Sequence, residues 1–287
     1  MPTEAGRSAL LDELLCIADS EWALGHWYIK LVRNGRSITD FSSIAALAQD
    51  ELGHARAMFR FLEDEFDYSD YELEFNRGPD QIHSMALLDE APESWGDMVL
   101  SCMLAETGIE CLARTFEGGS LKPVSSMLAR FSQENYFHRL YLQGWLSELS
   151  EPERHDFRSS LERKLPVVGA WLGVAETGGD ILVEEGLRST SVVEAREYFL
   201  EGLSNRLAGE IEVDGAQLSL WANPGEQRSW DTRRRRPQGS GVPSGLFEFM
   251  VPTNDEAQLA RRPLRISVGD NIDLVKPPAR DETDPQF

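Results

Sequence analysis

A glutamate and a histidine three positions apart, Glu51 and His54, have the chemistry and the spacing of metal ligands. They lie in a long stretch of helical periodicity from residue 44 to residue 66. Positions i and i+3 of an α-helix project from one face, so the carboxylate and the imidazole can reach the same ion. In four-helix bundles with a two-metal centre, two helices each supply such a pair and two others each supply a glutamate. Glu51 and His54 therefore predict half of a carboxylate-bridged dinuclear centre.

Three further helical stretches carry residues that could complete this centre. Glu21 lies near the apolar stripe of the first stretch, and Glu106 lies in the middle of the third. His138 lies near the middle of the fourth, where Glu134 and Asn135 precede it. Acidic groups on the apolar faces of four consecutive helices are costly to bury unless they are paired or bound to metal. The predicted metal ligands are Glu21, Glu51, His54, Glu106, Glu134 and His138.

The periodicity of apolar residues predicts the helices that must position these side chains. Four long helices are expected over residues 8–33, 39–66, 94–117 and 123–149, followed by a fifth that begins at Pro152 and a sixth over residues 192–207. Ser94 is a natural N-cap of the third helix, and Pro166 predicts a kink in the fifth. Residues 67–93 are rich in acidic and turn-forming residues, which predicts a long excursion with a short helix over residues 81–88.

The composition changes after residue 209, where proline and glycine become frequent. We therefore expect a helical domain over residues 1–213 and an irregular C-terminal extension over residues 214–287. Short strand-like stretches in the extension lie at residues 246–251 and 264–268. The extension also contains four consecutive arginines, residues 233–236, which we interpret as a solvated linker. Docking of these arginines on a neighbouring acidic surface is the alternative.

Composition and charge exclude several classes of protein. The formal net charge of −21 argues against general binding to nucleic acid, because phosphate binding needs a positive surface. No apolar run approaches the roughly 18 residues of a membrane span, and the first residues lack the pattern of a secretory signal. The three cysteines, Cys16, Cys102 and Cys111, form no Cys-x-x-Cys motif, so we expect free buried thiols and a cytoplasmic protein.

Several short motifs resemble a known family of oxygenases. The stretch 49–54, Gln-Asp-Glu-Leu-Gly-His, resembles the Gln-Asp-Glu-Ala-Gly-His motif of the catalytic subunit of bacterial phenylacetyl-CoA epoxidase, a ferritin-like diiron monooxygenase. Residues 94–97, Ser-Trp-Gly-Asp, are similar to its Ser-Trp-Ala-Asp run, and residues 137–138 resemble the end of its Glu-Glu-Ser-Phe-His motif. Glu21 lies 30 residues before Glu51, as the first-helix glutamate does in that family. The resemblance extends over roughly residues 10–213.

The resemblance implies an all-α fold, a ferritin-like four-helix bundle with additional C-terminal helices and an irregular tail. It implies a diiron centre of two iron ions, in which Glu51 and Glu106 are catalytic, and O2-dependent epoxidation of an aromatic CoA thioester. The implied partners are the aromatic acyl-CoA substrate, a homologous ferritin-like subunit and a separate reductase, within a homo- or hetero-oligomer.

Other stretches resemble the non-catalytic structural subunit of the same enzyme. Residues 52–56, Leu-Gly-His-Ala-Arg, are similar to its Leu-Gly-Gln-Ala-Arg, and residues 144–146, Gly-Trp-Leu, resemble part of its fourth helix. A structural subunit that scaffolds a catalytic homologue is therefore the alternative function. A third is another ferritin-like metal-binding oxidase, which the pattern of acids and histidines alone supports.

Asn135 departs from the catalytic subunit, which has a ligand glutamate three residues before the histidine. Asparagine is neutral and binds metal only through its amide oxygen, so it cannot serve as an anionic bridge. Glu134, four residues before His138, is a candidate replacement because positions i and i+4 also share a helix face. Glu110, one turn after Glu106, is the second candidate. The completeness of the predicted centre therefore depends on what replaces this carboxylate.

Overall fold

The computed structural model describes residues 2–69, 72–173, 180–223, 225 and 229–251, which form an all-α ferritin-like bundle. Its four long helices are α1 (Glu4–Leu31), α2 (Ile38–Phe66), α3 (Trp95–Arg114) and α4 (Lys122–Ser147). They are followed by α5 (Glu151–Trp171), α6 (Ile181–Glu184), α7 (Val192–Leu207), α8 (Gly215–Trp221) and α9 (Ser244–Met250). The predicted fold class is confirmed. None of the described helices is long and apolar enough to cross a membrane.

Side-chain caps set where α1, α2 and α3 begin, whereas α4 begins without one. The hydroxyl of Thr3 accepts a hydrogen bond from the Gly6 amide at 3.1 Å, so α1 begins four residues earlier than the periodicity predicts. Ser94 caps α3 as predicted, because its side chain accepts from the Asp97 amide at 3.2 Å. The predicted limits of α7 agree with the structure at both ends.

Close packing of α1 on α2 brings the first two ligand-bearing helices together. A Cβ atom on Gly25 would lie 2.8 Å from Cγ of Leu52, so only glycine allows this approach. α4 runs antiparallel to α2 and is fixed near its C-terminal end by Trp145, whose indole N–H donates to Asp40 Oδ1 at 3.0 Å. The helices are thus held so that Glu21, on α1, and the middle of α4 both face the middle of α2.

The segment between α2 and α3 differs from the single short helix predicted over residues 81–88. Two 3-10 turns, Pro79–Gln81 and Ala86–Asp89, flank a non-helical stretch. The backbone N–H of His83 donates to Asp19 Oδ2 at 2.7 Å, and that of Met85 donates to the Ser20 hydroxyl at 2.9 Å. The predicted helix is wrong because α1 side chains accept the hydrogen bonds that a helix would form within itself.

One of the two strand-like stretches predicted in the C-terminal extension falls on described residues. The strand expected at residues 246–251 is wrong, because residues 244–250 form α9 with Leu246 and Met250, one turn apart, both buried. A short apolar run fits either a strand or a buried helix by periodicity alone. The strand-like stretch at residues 264–268 lies outside the described residues.

The three cysteines are buried and free, as predicted.

The arginine run of residues 233–236 is not a solvated linker, and the interpretation is corrected. Arg235 is buried, and its Nε donates to Glu13 Oε1 at 2.9 Å. Arg236 is fully buried, and its guanidinium binds Asp89 Oδ2 at 2.5 Å and the Ser84 carbonyl at 3.0 Å. A local stretch of sequence does not reveal these acidic partners, which lie 147 and 222 residues away along the chain. The run instead docks the C-terminal segment on acidic groups of α1 and of the loop before α3.

We expect Arg236→Met to lower the free energy of unfolding by about 3 kcal/mol, because it leaves Asp89 without its buried counter-ion. Arg233→Met is the matched control: Arg233 pairs with Asp12 at 2.9 Å, but its side chain is 68% exposed. An exposed pair of this kind contributes about 0–1 kcal/mol. Urea unfolding of both variants measures the difference, and equal losses would show that the docking of Arg236 is not specific.

Candidate metal centre

Two groups of buried carboxylates and imidazoles lie between the bundle helices. Glu21 of α1 and Glu51 and His54 of α2 form the first group. Glu51, Glu106 of α3 and His138 of α4 form the second. In each group one ligand atom per residue lies within 4.8 Å of the others, which suits a metal ion. Glu51 belongs to both groups, so its carboxylate lies between two potential ion positions.

Each histidine has one ring nitrogen towards the carboxylates of its group. Nδ1 of His54 lies 3.1 Å from Glu21 Oε2. Nδ1 of His138 lies 3.0 Å from Glu106 Oε2 and 3.3 Å from Glu51 Oε1. Both imidazoles are buried. These two Nδ1 atoms are the donors that the histidines offer to metal.

The other ring nitrogen of each histidine meets an acid from the opposite helix. Nε2 of His54, on α2, lies 2.9 Å from Oε2 of Glu134 on α4. Nε2 of His138, on α4, lies 3.2 Å from Oδ2 of Asp50 on α2. In both helices the acid precedes its own histidine by four residues, so the two contacts cross. A carboxylate at the outer nitrogen fixes the ring orientation and favours the tautomer whose Nδ1 lone pair is free for metal.

Two aromatic residues restrict the side-chain orientations of Glu106 and His54. The Tyr28 hydroxyl donates to Glu106 Oε1 at 2.7 Å. The ring of Phe131 stacks on that of His54, with centroids 4.1 Å apart and planes at 19°. Sequence reasoning identified neither Tyr28 nor Asp50 as part of the site. The spacing could have indicated Asp50, because Asp50 lies four residues before His54, as Glu134 lies four residues before His138.

Burial and the close approach of the acids and imidazoles shift the pKa values of these groups. Burial, and then the Glu21 and Glu106 carboxylates, raise the pKa of Glu51 well above its ordinary value. Burial, the largest single effect, would lower the pKa of His138, but the Glu106 and Glu51 carboxylates together outweigh it and raise this pKa to about 12. The raised pKa values of Glu51, His54 and His138 favour the binding of protons by the metal-free cluster. Metal must displace these protons, so its affinity is expected to rise with pH.

The donor set fits divalent iron or manganese. Three carboxylates and two imidazoles are the hard and borderline donors that such ions accept. Glu51 Oε2 and Asn135 Oδ1 are also buried without a hydrogen-bond partner. Buried polar atoms are nearly always paired, so each unpaired oxygen needs an explanation. Two acceptor oxygens without donors are what a cation between the helices would satisfy.

The two proposed substitutes for the carboxylate missing at Asn135 lie elsewhere. Glu134 belongs to neither group, because it contacts the outer nitrogen of His54 and accepts from Arg130 Nε at 2.9 Å. Its side chain is 36% exposed. Glu110 accepts from Arg139 at 2.7 Å and also belongs to neither group. Of the six predicted ligands, the structure therefore brings five together and leaves Glu134 outside them.

The sequence matches a known protein family over most of its length. The sequence profile of the phenylacetic acid catabolic proteins matches residues 1–234. No curated protein matches the chain. Because the match covers most of the sequence, the chain belongs to the family of phenylacetic acid catabolic proteins.

Proposed function

We propose that this protein is an oxygenase subunit that holds two iron ions and uses O2 to epoxidise an aromatic ring carried as a CoA thioester. The observation that carries the proposal is the sharing of buried Glu51 by two groups of possible ligands on four helices. Membership of the phenylacetic acid catabolic family supports an aromatic substrate. A homologous ferritin-like subunit and a separate reductase complete the proposed enzyme.

In this proposal Glu21, Glu51 and His54 hold one ion, and Glu51, Glu106 and His138 hold the other. Bound iron would supply the reducing electrons that activate O2. Glu51 and Glu106 are the proposed catalytic residues, because each would contact a metal ion. Glu134 is reassigned from ligand to positioning residue, and Asp50 takes the same role at the other histidine. Both keep an imidazole oriented through its outer nitrogen.

Residues around the proposed ligands limit the motion of these side chains and keep water out of the site. The Tyr28 hydroxyl restrains Glu106 while leaving its second oxygen 3.0 Å from His138 Nδ1. The proposed ligands are all buried, with 0–4% of their surface exposed. A site that excludes water strengthens the electrostatic interactions inside it and protects reactive species from side reactions.

The test is a single turnover with 18O2. The iron-loaded protein, in complex with its homologous ferritin-like subunit, is reduced with dithionite in place of the reductase, freed of excess reductant, mixed with phenylacetyl-CoA and exposed to 18O2. The expected product carries one 18O atom, and Glu110→Gln, outside both groups, should form it equally well. Absence of labelled product from protein that holds two irons would reject epoxidation. The ferritin-like oxidase would then be the better assignment.

The alternative is a structural subunit without metal, and Asn135 is the observation that favours it. An amide takes the place where the second helix pair would supply a carboxylate, and the raised pKa values of Glu51 and His138 favour protons in the metal-free cluster. A structural subunit should bind no iron under conditions that load a catalytic homologue. Elemental analysis therefore separates the two functions directly.

A further inference from the structure

Helices α2 and α4 carry matching sets of residues at the centre. Asp50 on α2 contacts the outer nitrogen of His138, and Glu134 on α4 contacts that of His54. Each acid lies four residues before the histidine of its own helix. The two helices therefore present the same pattern to the centre, and His54 and His138 occupy equivalent positions.

The residue three before each histidine is Glu51 in α2 and Asn135 in α4. Glu51 lies in one ligand group with His54, so a side chain at this spacing reaches the position of its own histidine. Asn135 is 4% exposed, and His138 is fully buried. By the same spacing, Asn135 lies on the inward face of α4, beside the ligand group of His138.

The side-chain oxygen of Asn135 is buried and accepts no hydrogen bond from any described residue. An amide oxygen is an acceptor, so the partner that it lacks is a donor or a cation. Glu51, at the equivalent position of α2, also has a buried oxygen without a partner, Oε2. A buried acceptor is costly to leave unsatisfied. Both oxygens therefore point to a cation between the helices.

A neutral donor is sufficient at Asn135, because the centre is already rich in negative charge. Three carboxylates lie in the two ligand groups. Asp50 and Glu134 add two more at the outer nitrogens of the histidines. Two divalent ions carry four positive charges, which these acids offset without a further anion. Asn135 adds an oxygen donor, the kind of ligand that a divalent ion such as manganese accepts.

We propose that the amide oxygen of Asn135 is a ligand of the ion that Glu51, Glu106 and His138 hold. This inference rests on the proposed function, because it requires that ion. The ion then has four protein donors from three helices, whereas the ion at His54 has the three donors of its group. Asn135 acts on one ion only, in contrast to Glu51, which is shared by both.

The test is titration of the metal-free protein with Co2+ in competition with a chromophoric chelator at constant pH, which measures the affinity of each ion. Asn135→Leu keeps the branched shape of the side chain but removes the oxygen. It should weaken one ion about tenfold or more and leave the other unchanged. Asn135→Asp keeps an oxygen and adds a charge, so it should bind the same ion roughly tenfold more tightly than the wild type does.

Two further variants control the assignment. Gln133→Leu removes an exposed amide from α4 and should leave both affinities unchanged. Asn135→Leu combined with Glu134→Ala should weaken both ions, because Glu134 contacts the histidine of the other ion. Urea unfolding of the metal-free variants monitors the fold. Asn135→Leu should be at least as stable as the wild type because it removes an unpaired buried oxygen, and Asn135→Asp should be less stable because it buries a charge.

Each outcome decides the inference. Two ions bound by the wild type with affinities that neither Asn135 variant changes would overturn it, because water or no ligand would then satisfy the amide, and the dinuclear centre would stand. A loss confined to the ion that Glu134→Ala weakens would place Asn135 at the His54 ion and overturn the assignment. Binding of Co2+ by Asn135→Asp alone would show that the amide is not a ligand. Binding by neither the wild type nor Asn135→Asp would overturn the proposed function as well.

Discussion

Glu51→Gln is expected to weaken the binding of both metal ions by more than about 100-fold. Glu51 is the one residue shared by the two ligand groups of the described chain, so its loss leaves each ion with one carboxylate and one imidazole. Glutamine has nearly the same volume, and the effect therefore isolates the charge from the packing. Competition with a chromophoric chelator for Co2+ measures the two affinities.

Glu110→Gln is the matched control, because Glu110 is also partly enclosed between helices but pairs with Arg139 outside both groups. Its metal affinity should equal that of the wild type. Loss of only one ion in Glu51→Gln would mean that Glu51 serves a single ion position, and the shared role would be rejected.

Glu51→Gln weakens metal binding, but it should stabilise the folded state of the metal-free protein at pH values above the ordinary pKa of a glutamate. The pKa of Glu51 is raised in the fold above the ordinary value of 4.5, so the folded state holds this proton more tightly than the unfolded state. Wild-type stability is therefore lost as pH rises above that ordinary value. Glu51→Gln removes this loss and should flatten the pH dependence of urea unfolding. An unchanged profile would contradict the raised pKa.

Asp50→Ala and Glu134→Ala are each expected to weaken the binding of one ion about 10- to 100-fold. Asp50 contacts only His138 and Glu134 contacts only His54 among the two imidazoles, so each substitution releases one ring from its orientation. Both acids are partly exposed, at 48% and 36% of their side-chain surface, and the fold should tolerate their removal.

Asp64→Ala, an exposed acid further along α2, is the control for loss of one negative charge. It should leave both affinities unchanged. The double variant of Asp50 and Glu134 should weaken both ions. If the single variants bind Co2+ as the wild type does, the outer carboxylates do not position the histidines.

The sequence predicted the bundle well because apolar residues recur at helical spacing and because α1, α2 and α3 begin at side-chain caps. It also pointed to Glu21, Glu51, His54, Glu106 and His138, which the structure brings together, since ligands on inward helix faces converge once the helices pack. Their role as metal ligands remains a prediction. Glu134 did not join them, because its position on α4 directs it to the outer side of His54.

Interactions between distant parts of the chain were the main source of error. The buried pairs of Arg235 with Glu13 and of Arg236 with Asp89 join residues far apart in sequence, so the arginine run had only its local polarity to suggest solvent. Residues 82–85 likewise take their backbone partners from α1. Local pattern reveals periodicity and caps, whereas these features depend on tertiary partners.

The iron content of protein that has been loaded anaerobically with Fe2+ and then desalted tests whether the dinuclear centre exists. We expect about two irons per chain, as in other bundles with a two-ion centre, and near-complete loss of iron in Glu51→Gln. Wild-type protein that retains no iron would contradict the dinuclear centre and would favour a structural subunit.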